Sequence, residues 1–130
     1  MKPPQNLRRY TRIPFLRRAI VHLAQGDVDV CCLELSLRGT LLSQPEQPLA
    51  IATDEVFEVT LMIADGQNIH LCCRRVHAND EVVGCSIEYI DIQSLSFLYR
   101  ILTLNLPDWC CPSQEWNRRI NENRSSSGHD

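Results

Sequence analysis

The 130 residues suit one domain, and the 44% that are hydrophobic are enough for one modest core. The apolar runs fall far short of the roughly 20 residues that a membrane-spanning helix needs, and no apolar signal-peptide region follows the basic N-terminus. The net charge of −3 hides an asymmetry, because residues 1–26 carry six basic and no acidic side chains, whereas the remainder carries seven basic and sixteen acidic ones. We therefore expect no membrane insertion and no general binding of DNA or RNA, but an anionic partner near the N-terminus.

The N-terminal segment, residues 1–16, is predicted to be a flexible arm that contains the stretch NLRRYTRIPF. Pro14 excludes a helix through this stretch, so the backbone there should be extended. Arg8, Arg9 and Arg12 lie close together on it, with no acidic residue among them.

Six short apolar or alternating segments then predict strands, at residues 19–23, 28–35, 40–43, 56–63, 68–77 and 82–90. Asp65 and Gly66 between the fourth and fifth segments predict a tight hairpin. Gly84 in the sixth predicts a bulge or a close approach of another group to the backbone. Strands joined by tight turns, without βαβ alternation, predict an antiparallel sheet or a small barrel.

The hydrophobic period then changes to spacings of three and four, which predicts an amphipathic helix that buries Leu95, Leu98, Ile101, Leu102 and Leu106. Asp91 or Ser94 could cap its start, and Pro107 should end it. A second helix is predicted over residues 109–123, with Trp116 and Ile120 facing inward. The final residues, RSSSGHD, predict a solvated tail.

Six of the seven cysteines form adjacent pairs, at Cys31–Cys32, Cys72–Cys73 and Cys110–Cys111. Neighbours in a strand point to opposite faces, so such a pair cannot easily bind one metal ion. We expect buried, reduced thiols, no metal and a cytoplasmic location.

Catalytic patterns are weak. The four histidines, His22, His70, His77 and His129, show no metal-ligand spacing, and no phosphate-binding or nucleophile motif is present. Asp27 and Asp29 share a strand face, which is more typical of a solvated surface than of a catalytic pair. We expect that the protein is not an enzyme.

The arginine cluster offers better chemistry for binding. Arginine presents a planar set of donors that fits a phosphate, and the same donors fit the O6 and N7 edge of guanine. The alternative is a basic arm that contacts nothing in particular. A second feature is LELSLRG, where Ser36 offers a hydroxyl and Gly39 could take positive φ and expose backbone N–H groups. The alternative there is a plain turn between strands.

Together these features resemble the PilZ domain family, over roughly residues 7–106. The resemblance rests on an RxxxR motif within RRYTR, on ELSLRG as a variant of (D/N)xSxxG about two dozen residues later, and on VGCSIEYIDIQSLSFLYRIL as the last strand and following helix. It implies a six-stranded antiparallel β-barrel with flanking helices. Residues 17–107 would form the barrel and its helix, and residues 108–130 a C-terminal helix and disordered tail, in one domain.

The resemblance also implies a ligand, cyclic di-GMP, and no other cofactor. Arg8 and Arg12 would be the motif arginines that bind its phosphates and guanine edge, with Arg9 as an adjacent contact. Ser36 and Gly39 would line the other side of the ligand.

Three positions add detail to this implied site. Glu34 stands where the family prefers Asp or Asn, which keeps an acceptor but adds a methylene and should weaken binding modestly. Leu7, just before the motif, offers no donor, which favours one bound ligand, although Arg9 could assist a second. His77 could stack on a base, the alternative being an ordinary surface histidine near a turn.

The implied function is a cyclic di-GMP receptor that signals through ordering of its arm and through a partner effector protein, in motility or biofilm formation. The alternative is a PilZ-like adaptor that binds no nucleotide, for example in pilus assembly. A third reading, a nucleic-acid-binding barrel, is disfavoured by the acidic body.

Overall fold

The computed structural model describes residues 10–64, 66–106 and 112–127, without the side chains of residues 112 and 123–127. The strands are β1 (Ile13–Leu23), β2 (Gly26–Leu35), β3 (Gly39–Ser43), β4 (Val56–Ala64), β5 (Gln67–Ala78) and β6 (Val82–Tyr89), and the helices are α1 (Ile92–Thr103) and α2 (Pro112–Ser127). All neighbouring strands pair antiparallel in the closed order β1-β2-β3-β6-β5-β4. The predicted six-stranded antiparallel barrel with helices is confirmed.

The hairpin turns follow local chemistry. Ala64 pairs with Gln67, and Gly66 has a φ of 72° as the predicted two-residue hairpin requires; Asp65 lies outside the described residues. In the β5–β6 turn, the Asn79 side chain accepts the backbone N–H groups of Glu81 and Val82, at 2.7 and 2.9 Å.

Helix α1 packs against the barrel through its predicted apolar face, with Leu95, Leu98 and Leu102 buried. Asp91 is the N-cap and accepts the Ser94 amide at 2.8 Å. The helix ends at Thr103, not at Pro107, which lies outside the described residues. Asn105 explains the earlier end, because its amide donates to the Leu102 carbonyl and its side chain to the Ile101 carbonyl.

Helix α2 also confirms a predicted element. Trp116 packs on Tyr99 of α1 with ring centroids 4.6 Å apart, and Ile120 is half-buried against the core. The helix continues to Ser127, so residues 124–127, predicted as tail, are helical, and residues 128–130 lie outside the described part. Within the described residues, no helix is long and apolar enough to cross a membrane.

The N-terminal boundary differs from the prediction. Strand β1 begins at Ile13, so residues 13–16, predicted to belong to the arm, are part of the sheet instead, and Ile13 and Pro14 pair with β2. The ladder is interrupted after Pro14, because Phe15 and Leu16 together face one residue of β2. A proline cannot donate to the ladder, and a bulge beside it accommodates this loss.

The cysteines of the described chain are free thiols, buried at Cys32, Cys73 and Cys85 and half-buried at Cys31 and Cys72. Burial raises the pKa of Cys32 to about 11. In these described ranges no group of histidine, cysteine, aspartate or glutamate side chains could hold a metal ion. Cys110 and Cys111 lie outside them.

Candidate ligand-binding cleft

A cleft of about 200 Å³ opens where the β2–β3 turn and the adjoining parts of β5 and β6 meet the residues that precede β1. It is lined by Tyr10, Arg12, Ser36, Arg38, Gly39, Val76, His77, Gly84, Cys85 and Ser86. Four predicted site residues, Arg12, Ser36, Gly39 and His77, thus come together from distant parts of the sequence. Leu7, Arg8 and Arg9 lie outside the described residues.

Three strand irregularities lie around the cleft. The bulge in β1 at residues 15–16 faces Leu33, and Leu33 is itself the extra residue where β2 pairs with β3. Val76 is the extra residue where β5 pairs with β6. Bulges redirect side chains and are common beside functional sites.

Larger hollows, of about 650 and 540 Å³, lie beside α1 and along β4–β5, and neither contains a predicted ligand-binding residue.

Arg12 and Glu34 form an ion pair at the mouth of the cleft. Arg12 Nη1 lies 3.6 Å from Glu34 Oε1, and the two side chains are 37% and 40% exposed. A pair of this length and exposure contributes little stability. The Arg12 guanidinium therefore remains accessible to an anion that offers better hydrogen-bond geometry.

The ELSLRG segment forms a turn that is held by Ser36. The Ser36 hydroxyl accepts the amides of Arg38 and Gly39, at 3.2 and 3.0 Å, and the Ser36 amide donates to the Gly39 carbonyl at 2.9 Å. Ser36 is only 3% exposed. In the described protein its hydroxyl therefore shapes the turn.

Gly39 differs from the expectation of positive φ, since in the described residues only Gly26, Gly66 and Asp54 have positive φ. Its amide is bonded to Ser36 and is not presented to the cleft. The position requires glycine for a different reason: an added Cβ atom would lie 3.0 Å from the Cys85 carbonyl oxygen. Close packing of β3 on β6 explains this residue.

His77 lies in the cleft because of the bulge at Val76. It pairs with Gly84 across the β5–β6 ladder, and an added Cβ atom at Gly84 would lie 2.2 Å from His77 Nε2. The imidazole therefore occupies the space over the glycine. The close approach predicted at Gly84 is confirmed, and the ring is exposed on the side away from it.

Helix α2 holds the residues just before Arg12, which the sequence placed in the flexible arm. Glu115 accepts the Thr11 amide at 3.1 Å and its hydroxyl at 2.7 Å. Glu122 accepts the Tyr10 hydroxyl at 2.8 Å, and the Arg118 guanidinium lies 5.5 Å from the centre of the Tyr10 ring. Burial first, and the Glu122 hydrogen bond second, raise the pKa of Tyr10 to about 12.

Two further arginines near the cleft were missed in the sequence. Arg38 lines the cleft and forms an ion pair with Glu122, with 3.7 Å between Nη1 and Oε1. Arg119 of α2 is fully buried and donates from Nε to the Leu37 carbonyl at 2.8 Å. The usable signal was the spacing of Glu115, Arg119 and Glu122, which places three charged side chains on one helical face.

Asp27 and Asp29 do not line the cleft and form separate contacts. Asp27 is 2.9 Å from His22 Nδ1, and Asp29 accepts Arg18 Nε at 2.7 Å. The hydrogen bond from Arg18 lowers the pKa of Asp29. Both aspartates are exposed, as predicted for a solvated surface.

Comparison with known proteins gives a family match over most of the chain. Residues 6–104 match the family model described as PilZ domain. A search of curated protein sequences found no match.

The fold is also similar to solved structures. One is the K. pneumonia MrkH–c-di-GMP complex, with a TM-score of 0.64 and 15% identity over 74% of this chain and 51% of that one. Another is the PilZ domain of CeSA from a cellulose-synthesizing bacterium, with a TM-score of 0.53 and 20% identity over 72% of this chain and 95% of that one. A third is the Bacillus subtilis inhibitor of motility MotI/DgrA, with a TM-score of 0.61 and 10% identity over 92% and 56%. The chain thus spans about half the length of the first and third, and at these identities the similarity is one of fold.

Proposed function

The chain belongs to the PilZ domain family, and from this membership we propose that it is a receptor for cyclic di-GMP without catalytic activity of its own. One observation carries the proposal. The cleft brings together Arg12 of the RxxxR motif and the Ser36–Gly39 turn of the second motif. The similar fold of MrkH, solved as a complex with c-di-GMP, supports the choice of ligand.

In this proposal Arg12 binds a phosphate or a guanine edge from one side of the cleft, and the turn closes the other side. Glu34 accepts a guanine N–H or orients Arg12. His77 provides a ring on which a guanine base stacks, since base stacking on aromatic side chains is tolerant of sequence and favourable.

The size of the cleft argues for a contribution from the N-terminus. Its volume of about 200 Å³ is below the roughly 300–1,000 Å³ of pockets that enclose drug-sized ligands. A cyclic dinucleotide would therefore protrude, and we propose that Arg8 and Arg9 cover its open side. Leu7 offers no donor for a second ligand, which favours one per site.

The signal would be the ordering of residues 1–9 over the bound ligand, read by an effector protein in the cytoplasm, in motility or biofilm formation. Amide exchange in residues 5–9 should slow on ligand addition if this is correct. Exchange that is unchanged at saturating ligand would exclude arm ordering as the signal.

The direct test is calorimetric titration of the protein with cyclic di-GMP. Four or five charge-assisted hydrogen bonds of roughly 1.5–3 kcal/mol each, less the cost of immobilising ligand and arm, leave about 8 kcal/mol, near micromolar affinity. Arg12→Ala should abolish this binding. Arg18→Ala removes an arginine that pairs with Asp29 away from the cleft and should bind normally. Cyclic di-AMP, which lacks the guanine O6 acceptor, should bind more weakly.

The second candidate is an adaptor that binds no nucleotide. Glu34 favours it, because the longer carboxylate reaches Arg12 and could hold it in the ion pair. If the folded protein gives no heat of binding in the calorimetric titration and cyclic di-GMP does not raise its melting temperature, the adaptor function is supported instead. The N-terminal arginines, Arg8, Arg9 and Arg12, would then bind a protein.

A further inference from the structure

We propose that Arg38 is an additional phosphate-binding residue of the cleft and that Glu122 of α2 holds its guanidinium while no ligand is bound. The inference rests on the proposed function, because it concerns the same cleft and the same anionic ligand. Arg38 occupies an x position of the (D/N)xSxxG motif, at which the motif specifies no residue. Glu122 lies beyond residues 6–104, which match the family model.

Arg38 starts from a fixed backbone. Its amide donates to Ser36 Oγ at 3.2 Å, and its carbonyl accepts the Ile87 amide at 2.7 Å. The side chain is 33% exposed and lines the cleft. Less conformational freedom is lost when a ligand binds a side chain whose backbone is already held.

One nitrogen of the Arg38 guanidinium, Nη1, lacks a hydrogen-bond acceptor. Arg38 Nη1 is buried without a hydrogen-bond partner, and its ion-pair partner, Glu122 Oε1, lies 3.7 Å away, beyond hydrogen-bonding distance. That same oxygen accepts the Tyr10 hydroxyl at 2.8 Å. A donor removed from water without an acceptor is costly, so a phosphate oxygen would satisfy a group that the protein leaves unsatisfied.

Positive charge is also concentrated here. Burial first, and the nearby charge of Arg38 second, lower the pKa of Arg119, whose Nη1 is likewise buried without a hydrogen-bond partner. The facing negative charges are Glu122 and Glu88, and Glu88 is already paired with Arg74 at 3.0 Å. An anion beside Arg38 would relieve the repulsion between the two guanidinium groups.

A competition follows from this arrangement. If a phosphate displaces Glu122 from Arg38, replacing Arg38 and replacing Glu122 should change the affinity for the ligand in opposite directions. Removing the arginine removes a ligand contact, whereas removing the carboxylate removes the competitor. If the pair only supports the structure, both changes act in the same direction.

The test measures the dissociation constant for cyclic di-GMP in wild type, Arg38→Gln and Glu122→Gln. Gln at position 122 keeps an oxygen for the Tyr10 hydroxyl. Arg38→Gln should weaken binding about tenfold or more, as expected for one charge-assisted hydrogen bond. Glu122→Gln should tighten it about threefold. Arg18→Gln, which breaks an exposed ion pair away from the cleft, should change it less than about twofold.

Each pattern of results has a distinct meaning. Opposite shifts support the inference. Weakening by both variants, or an Arg38→Gln protein that binds like wild type while Arg12→Ala does not bind, overturns it and leaves the proposed function standing. Weakening by Arg38→Gln with no effect of Glu122→Gln supports the contact and overturns the holding role of Glu122. If wild type and the Arg18→Gln control both fail to bind, the proposed function fails, and the inference fails with it.

Discussion

Replacing Gly84 by alanine should displace His77 and weaken the ligand site without unfolding the protein. An added Cβ atom would lie 2.2 Å from Nε2 and 2.6 Å from Cε1 of His77, whereas ordinary contact begins at 3.4 Å. The imidazole must therefore move by more than an ångström, which requires another rotamer. Because His77 is exposed, its ring can turn toward solvent.

The two effects of this substitution differ in size. Alanine in place of glycine on compatible backbone stabilises by about 0.4–1 kcal/mol, which the lost packing of the ring offsets, so the free energy of unfolding should stay within about 1 kcal/mol of wild type. Stacking of a base on an aromatic side chain contributes about 1–3 kcal/mol. For the small imidazole ring of His77 we take about 1 kcal/mol, which is roughly fivefold in the dissociation constant.

A double-mutant cycle isolates the contribution of His77. Wild type, Gly84→Ala, His77→Ala and the double variant are compared by urea denaturation and by calorimetric titration with cyclic di-GMP. Either single variant should bind roughly fivefold more weakly, and the double variant no more weakly than either. Unchanged binding by His77→Ala would refute stacking. A loss of more than about 2 kcal/mol of stability in Gly84→Ala would refute the claim that the ring is displaceable.

Three predictions concern contacts of the helices. Asp91→Ala should lower the free energy of unfolding by about 1 kcal/mol at neutral pH, because the carboxylate caps α1. The backbone hydrogen bond lowers the pKa of Asp91, so this difference between the two proteins, measured by urea denaturation, should vanish as the pH falls through the lowered value; a constant difference would contradict the cap. The pKa of Tyr10 is raised to about 12. The stabilisation that its neutral hydroxyl contributes is therefore fully present below about pH 10 and is lost as the pH rises through about 12. Phenolate absorbance should show this late titration in wild type and not in Tyr10→Phe. Glu115→Gln should speed amide exchange at Thr11 about tenfold, since the carboxylate accepts both its amide and its hydroxyl; equal exchange would contradict the attachment to α2.

Most of the fold could be predicted because its determinants are local. Short apolar or alternating segments identified the six strands, and the Asp65–Gly66 turn and the leucine spacing of α1 identified a hairpin and a helix. The ends of strands depend on their pairing partners. Strand β1 starts at Ile13 because β2 offers hydrogen-bonding partners to residues whose own sequence shows no alternation of apolar and polar side chains. Helix α2 runs to Ser127 because serine lowers helix propensity only slightly, so an established helix can continue through it.

The candidate site was predictable only in part. Arg12, Ser36, Gly39 and His77 could be named from motif spacing and strand order. The contacts of α2 join residues up to 112 positions apart, as between Tyr10 and Glu122, and no local pattern reports such a pairing. The inward charged face of α2 was also unexpected, because charged positions on a helix are ordinarily assigned to solvent.

The ion pairs around the cleft bear on selectivity. Arg12 lies 3.6 Å from the Glu34 carboxylate, and Arg38 lies 3.7 Å from the Glu122 carboxylate. All four side chains are partly exposed. Such pairs contribute about 0–1 kcal/mol, whereas a charge-assisted hydrogen bond to a phosphate contributes roughly 1.5–3 kcal/mol, so exchange of partner favours the ligand. The carboxylates nevertheless lower the attraction for any single anion, because each must be displaced or left unpaired. A ligand with two phosphates and guanine edges can satisfy several arginines at once, which small inorganic anions cannot do. In the proposed receptor, the same acids would therefore both weaken binding of cyclic di-GMP and exclude weaker competitors.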